Sequence, residues 1–313
     1  MEAKSVSTIG MSREDWLEYR KRGIGGSDAA AVLGVSRFKS PFAVYCDKTM
    51  DLPDVSSPVM EMGTRLEEYV AELFSRESGL KVARRNRTYT SKEHPCMLAN
   101  IDRWVVGDKA GLECKTTTKY SWHGWDEGDV PPEYYWQCMH YMAVLGLDHW
   151  YLAVLFRDNG EFRWYRMERD EALVKQLIAE EEAFWERVLK RDPPPASGLD
   201  SETELINDLY PAEKVSPDTA DLSGIATMVQ SRADLDREIK ERKKVLDSLD
   251  QEIKRVMGET QEAISGRYIV SWKPAQRTSV DSKKLLREYP QIYAAVSTTT
   301  SYRTFSVKEA KGV

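Results

Sequence analysis

The chain has 313 residues, of which 41% are apolar and 31% charged, with a formal net charge of −6. That length supports a full hydrophobic core, as one large domain with a smaller appendage, and nine tryptophans and fifteen tyrosines exclude a disordered chain. The acidic balance excludes a surface coated in cations for indiscriminate nucleic-acid binding, but not a DNA enzyme whose positive charge is gathered in one channel. No run approaches the roughly 18 apolar residues of a membrane span and no signal-peptide pattern opens the chain, so a soluble, cytoplasmic protein with no membrane partner is expected. Cys46, Cys96, Cys114 and Cys138 form no CxxC pair, and the four histidines form no HExxH. Reduced thiols are therefore expected in place of disulfides or structural zinc. There is no Walker A sequence to support nucleotide hydrolysis.

Residues 1–10 read as a loose tail. From Ser12, SREDWLEYRKR reads as a short helix capped by that serine, with acids in its first turn and bases in its last. In the following GIGGSD at 23–28 the glycines permit a tight turn, and Ser27 is placed as N-cap of the next helix. The segment is either a turn and a cap, or a helix N-terminus that forms a phosphate pocket with Arg20 and Arg22. A second short helix begins at Ser40-Pro41. Residues 60–78 read as an amphipathic helix with Met62, Leu66, Tyr69, Val70, Leu73 and Phe74 as its stripe. Glu67 and Glu68 lie at the margin of that stripe, and Gly79 ends the helix. Next, KVARRNRTYT reads as a polar strand whose Arg84, Arg85 and Arg87 form either a phosphate-contacting strip or a soluble edge.

The chain is organised around LANIDRWVVGDKAGLECKTT, residues 98–117. Apolar runs at 97–106 and 111–117 read as strands joined by a polar turn at 107–109. Period-2 alternation puts Glu113 and Lys115 on one face and Cys114 towards a core, and a hairpin brings Asp102 to Glu113. Two carboxylates and an ammonium at one spot suit phosphodiester hydrolysis, with the carboxylates holding Mg²⁺ and the lysine orienting water or offsetting charge on the phosphate. A solvated hairpin edge with a surface ion pair has the same pattern.

An aromatic loop at 120–130 leads into PPEYYWQCMHYMAVLG, a helix with Tyr134, Cys138, Tyr141, Met142 and Leu145 inward and Gln137 beside them. His140 fits a core-lining or exposed position better than a ligand. Strands at 149–157 and 161–168 flank Asn159-Gly160, and a long helix from 170 to 191 stops at Pro193-Pro194-Pro195. The order of elements gives an α/β domain layered around a mixed sheet over residues 1–195. Residues 196–222 read as a polar linker and 223–313 as an appendage. In the appendage Leu235, Ile239, Leu246, Leu249, Ile253 and Val256 keep heptad spacing, broken by Arg242. That fits a helix packed on its own domain or a short coiled coil. A small α/β tail follows.

Five ordered blocks resemble the lambda-exonuclease (YqaJ-type viral recombinase) family of PD-(D/E)xK nucleases: RGIGGSDAAAVLG at 22–34, MGTRLEEYV at 62–70, LANID at 98–102, LECKT at 112–116 and PPEYYWQCMHYMAVLG at 131–146. The resemblance implies a restriction-endonuclease-like core with a mixed central sheet flanked by helices. It implies that Glu67, Asp102, Glu113 and the backbone carbonyl of Cys114 surround the metals, that Lys115 is the motif lysine, and that Gln137 positions the attacking water or the scissile phosphate. Arg22 and Ser27, with Arg20, match the block that grips a terminal 5′ phosphate. Asn100 stands where serine is often found, and either side chain donates to phosphate. The activity implied is Mg²⁺-dependent 5′→3′ exonucleolysis of duplex DNA ends with two ions, Mn²⁺ substituting, releasing 5′ mononucleotides and leaving 3′ tails. A homotrimeric ring and a single-strand annealing partner in phage-type recombination are implied with it. The residues after 196 have no counterpart in shorter family members. The rival readings are an endonuclease, a RecB-like nuclease with an iron–sulfur cluster, which lacks the needed cysteines after Cys138, and a non-catalytic DNA-binding or scaffold protein.

Overall fold

In the computed structural model, which describes residues 3–53, 57–216 and 218–310, the chain forms two compact units, Met1–Ile206 and Asn207–Val313. The first carries β1 (Ala3–Ser7), α1 (Arg13–Arg20), β2 (Ile24–Gly25), α2 (Gly26–Val32), α3 (Pro41–Thr49), α4 (Pro58–Ser78), β3 (Val82–Ala83), β4 (Arg87–Ser91), β5 (Met97–Asn100), β6 (Arg103–Val105), β7 (Gly111–Thr117), α5 (Pro132–Leu145), β8 (His149–Phe156), β9 (Phe162–Glu168) and α6 (Glu171–Lys190), and α7 (Asp200–Leu209) begins in it. The mixed α/β class is as expected, but the sheet is divided in two, ordered β1-β4-β5-β2 and β3-β6-β7-β8-β9.

That division falls where the chemistry was anticipated. The apolar run 97–106 is not one strand. β5 pairs with β4 and β2 in one sheet, whereas β6 pairs with β7 in the other, so Ile101 and Asp102 lie at the crossing between them. The polar run 81–90 splits in the same way, into β3 and β4. Residues 3–7, expected as a loose tail, form an edge strand on β4. Ser27 is not the N-cap of α2: Gly25 holds that place, and Ser27 lies in the first turn. Helix α7 occupies part of the stretch expected as linker, with Ser197 bonded through both its backbone N–H and its hydroxyl to Glu202.

The run HWYLAVLF in β8 is buried on both faces, the pattern of a strand covered by helices on either side. Trp150, Leu152, Val154 and Phe156 join a core with α5 residues Cys138, Met139, Tyr141 and Met142. Tyr151, Ala153 and Leu155 join a second core with Val70, Leu73 and Phe74 of α4. The stripe of α4 is buried only in this C-terminal half, and Met62 and Tyr69 remain exposed. Trp125, from the aromatic loop, is buried against Phe156. The C-terminal two thirds of α5, Gln137–Leu145, is buried all round.

Such close approach needs small residues. A Cβ on Gly26 would lie 2.6 Å from Tyr141 Cε1 and 3.2 Å from Gln137 Cγ. Gly26→Ala is therefore expected to destabilise the domain by about 1–3 kcal/mol through overpacking, read by urea denaturation.

The second unit carries α8 (Ala226–Met257), a hairpin of β10 (Glu262–Ser265) and β11 (Tyr268–Ser271), α9 (Ser282–Glu288) and α10 (Pro290–Val296). Helix α8 contains all the heptad-spaced positions from Leu235 to Val256.

Candidate active site

The β6–β7 hairpin places Arg103 opposite Leu112, which brings Asp102 beside the start of β7. Asp102 Oδ2 accepts the backbone N–H of Cys114 at 2.8 Å. Glu113 and Lys115 share a face of β7, as their alternation predicts, and Lys115 Nζ lies 2.6 Å from Glu113 Oε1. Cys114 faces the opposite way, against the core under α4. From α5, Gln137 Nε2 donates to the same Glu113 Oε1 at 2.7 Å and to the Tyr141 hydroxyl at 2.8 Å. Glu113 is thus gripped through one oxygen, while its other oxygen, Oε2, is buried with no hydrogen-bond partner.

The electrostatics follow from this crowding. Burial, with the Glu113 and Glu67 charges added, pushes the Asp102 carboxyl well above the usual carboxylate range, against the pull of Lys115. Burial also raises Glu113, although Lys115 draws it down. Burial alone would lower Lys115, but Glu113 and Asp102 outweigh it and raise its pKa. Two acids that repel each other, one half-buried and one buried with an unpartnered oxygen, are a donor set that fits a hard divalent cation.

Glu67 lies close enough to raise Asp102, yet it is engaged elsewhere. Arg103, almost fully buried, pairs with both Glu67 and Glu68, and Arg84 lies 3.7 Å from Glu67. Among the described residues no three histidine, cysteine, aspartate or glutamate side chains form a ready cation cage. The structure therefore bonds Lys115 and Gln137 directly to Glu113, holds Asp102 beside them on the Cys114 N–H, and leaves Glu67 held by two arginines.

A cleft opens beside this cluster, with Asp102, Glu67 and Asn100 on its wall together with Trp16, Arg84, Arg85 and Arg87. Asn100 Oδ1 accepts the Thr88 hydroxyl at 2.6 Å. Of the expected phosphate group, Arg20 Nη2 donates to Ser27 Oγ at 3.0 Å while its guanidinium lies over the Trp16 ring. Arg22 is exposed and stacks on Tyr19. Ser27 thus meets Arg20, and no bond joins it to Arg22 among the described residues.

Three participants were not picked out by sequence reasoning. Arg103 lies in an apolar run, and its burial depends on acids supplied by α4, some 35 positions earlier. Tyr141 read only as a core residue. Asp28, 1% exposed, pairs with Lys39 at 2.9 Å and Lys48 at 2.8 Å and accepts the Gly25 N–H. Burial would raise Asp28, but the two lysines and Arg20 outweigh it and hold its carboxyl well below 3.8. Its contribution to stability is therefore complete above pH 3.8 and is lost only as pH falls through the lower folded value. Asp28→Asn, which leaves the buried Lys48 without its counter-charge, is expected to cost about 3–5 kcal/mol in chemical denaturation.

Residues 15–148 match the model of the YqaJ-like viral recombinase domain. The uncharacterized protein YqaJ of Bacillus subtilis (strain 168) is 35% identical over 305 residues, covering 96% of this chain and 95% of that protein. Among solved structures, an alkaline exonuclease from Laribacter hongkongensis is similar at 20% identity and a TM-score of 0.47, over 63% of this chain and 99% of that one. A phage-related exonuclease from Haemophilus somnus 129PT is similar at 13% identity and a TM-score of 0.41, over 54% of this chain and 96% of that one. The LECKT block at 112–116 and the helix bearing Gln137 both lie inside the matched domain, and the relative spans nearly the whole chain: this protein belongs to the YqaJ-like viral recombinase family.

Proposed function

We propose that the protein is a metal-dependent deoxyribonuclease that degrades one strand of linear duplex DNA from its 5′ end, releasing 5′ mononucleotides and leaving 3′ single-stranded tails for recombination by strand annealing. The observation that carries this reading is the Asp102–Glu113–Lys115 cluster, built on the buried Glu113 with its unpartnered Oε2, beside an arginine-lined cleft.

Asp102 and Glu113 would hold Mg²⁺, with Mn²⁺ as a substitute. Glu67 and the Cys114 carbonyl complete the set for two ions, and Glu67 exchanges its arginine partners to do so. When bound, the ions supply an ionised water as nucleophile and Lewis-acid stabilisation of the leaving oxygen. Lys115 places a cation over the scissile phosphate and offsets charge developing there. Gln137 fixes the Glu113 carboxylate, keeping Oε2 turned to the site, and reaches the water or the phosphate. Arg84, Arg85 and Arg87 line the path of the strand, and Asn100 donates to its backbone. Arg20 and Ser27, with Arg22, take the terminal 5′ phosphate. A homotrimeric ring with a single-strand annealing partner, acting in the cytoplasm of a bacterial or phage-infected cell, completes the proposal.

Linear duplex labelled at either end, with and without a 5′ phosphate, run beside a closed circle, tests it. Release from phosphorylated 5′ ends with intact circles is the expected result. Cut circles would establish an endonuclease instead, and DNA binding without cleavage a non-catalytic binding or scaffold protein.

A further inference from the structure

Four charges meet on the flank of α4. The neighbouring residues Glu67 and Glu68 both reach Arg103 of β6, Glu67 at Nη1 and Glu68 at Nη2, the latter at 2.9 Å. The same Nη1 donates to the Asp102 carbonyl at 2.7 Å. Arg84 closes the array, its Nη2 lying 3.7 Å from Glu67 Oε1 and 3.1 Å from Glu68 Oε2. Glu67 lines the cleft beside Asp102, whereas Glu68 does not line it and its side chain is 61% exposed. The side chain of Arg103 is only 2% exposed, and a guanidinium so placed needs a carboxylate at its side.

Two acids thus balance two arginines. Once the charge of Glu67 is committed to a cation, Glu68 is the counter-charge left for Arg103 and Arg84. With Glu68 neutral, Arg103 would have Glu67 as its sole carboxylate, and two guanidinium charges would oppose any cation approaching Glu67. On the reading of Glu67 as a metal ligand, we propose that Glu68 is a positioning residue for the cation that Glu67 takes. By holding Arg103 and Arg84, it leaves the Glu67 carboxylate available to metal.

Mn²⁺ titrated into the full-length chain without DNA, with the free ion followed by electron paramagnetic resonance, tests this. The wild type is expected to take up two ions and Glu67→Ala to lose one of them. Glu68→Gln, which keeps the shape and removes the charge, is expected to weaken that same ion about 10–100-fold, the usual cost of losing a partner that supports a ligand. Glu72→Gln removes the same charge one turn further along α4 and is expected to bind as the wild type does. Glu68→Asp, which retains the charge, is expected to recover part of the loss. Thermal unfolding in EDTA is expected to coincide for wild type and Glu68→Gln, because Arg103 keeps Glu67 when no metal competes; a merely structural role would move that curve and spare the metal. Mn²⁺ binding by Glu68→Gln equal to wild type, or an equal loss in Glu72→Gln, overturns the proposal. Glu67→Ala binding as the wild type does would overturn the reading of Glu67 itself, and the proposal with it.

Discussion

Lys115→Ala and Glu113→Gln are each expected to lower DNA cleavage by about 10²–10³-fold, with little change in the thermal unfolding curve. The magnitude is that of removing one preorganised charge or donor from a transition state. The reasoning starts from the grip on Glu113. Lys115 and Gln137 converge on Oε1, so Oε2 is the oxygen left without a partner and free to take a cation. Glutamine at 113 keeps the shape of the side chain but removes the charge. Alanine at 115 leaves the acid pair without the cation that draws both carboxyls down. The same electrostatics set a pH dependence. Asp102 and Glu113 are raised above the ordinary carboxylate range, so protons compete with metal there and cleavage falls on acidification. Single-turnover rates on end-labelled duplex, with binding measured separately in EDTA, separate the chemical step from DNA affinity.

His140→Ala is expected to cost about 3–5 kcal/mol, which is of the order of 10 °C in the melting midpoint for a domain of this size. His140 is fully buried, with Nδ1 2.8 Å from Glu181 Oε1 on α6 and Nε2 2.8 Å from the Leu98 carbonyl on β5. It ties α5 to α6 and to the strand that ends just before Asp102, so its loss leaves the buried Glu181 carboxyl without a partner. Burial alone would lower the imidazole pKa, but Glu181 outweighs it and raises it above 6.5. The stabilising contribution is therefore complete below pH 6.5 and declines as pH rises through the folded value. Differential scanning calorimetry at pH 6 and pH 9 is expected to show a larger gap between wild type and variant at pH 6.

What was legible in the sequence was what local periodicity encodes. Alternation along LECKT placed Glu113 and Lys115 on one face, Asn159-Gly160 marked the β8–β9 hairpin, and Ser12 and Ser40 cap α1 and α3 as their positions suggest. Pairing across the chain was not legible. The run 97–106 is mostly apolar, and nothing local marks its Asp102 as the crossing between two sheets. Residues 3–7 become a strand only because β4 offers an edge 84 positions later. Arg103 is buried because α4 supplies two acids, and His140 because Glu181 arrives from α6. In the second unit the heptad spacing along α8 was legible.

The central claim is that Asp102 and Glu113 hold a metal that cuts DNA. Its most direct test is release of acid-soluble nucleotides from uniformly labelled linear duplex by purified wild type and Asp102→Asn, in Mg²⁺ and in EDTA. The account predicts release by the wild type in Mg²⁺ alone and none by the variant in either condition. Release in EDTA, or undiminished release by Asp102→Asn, would contradict it.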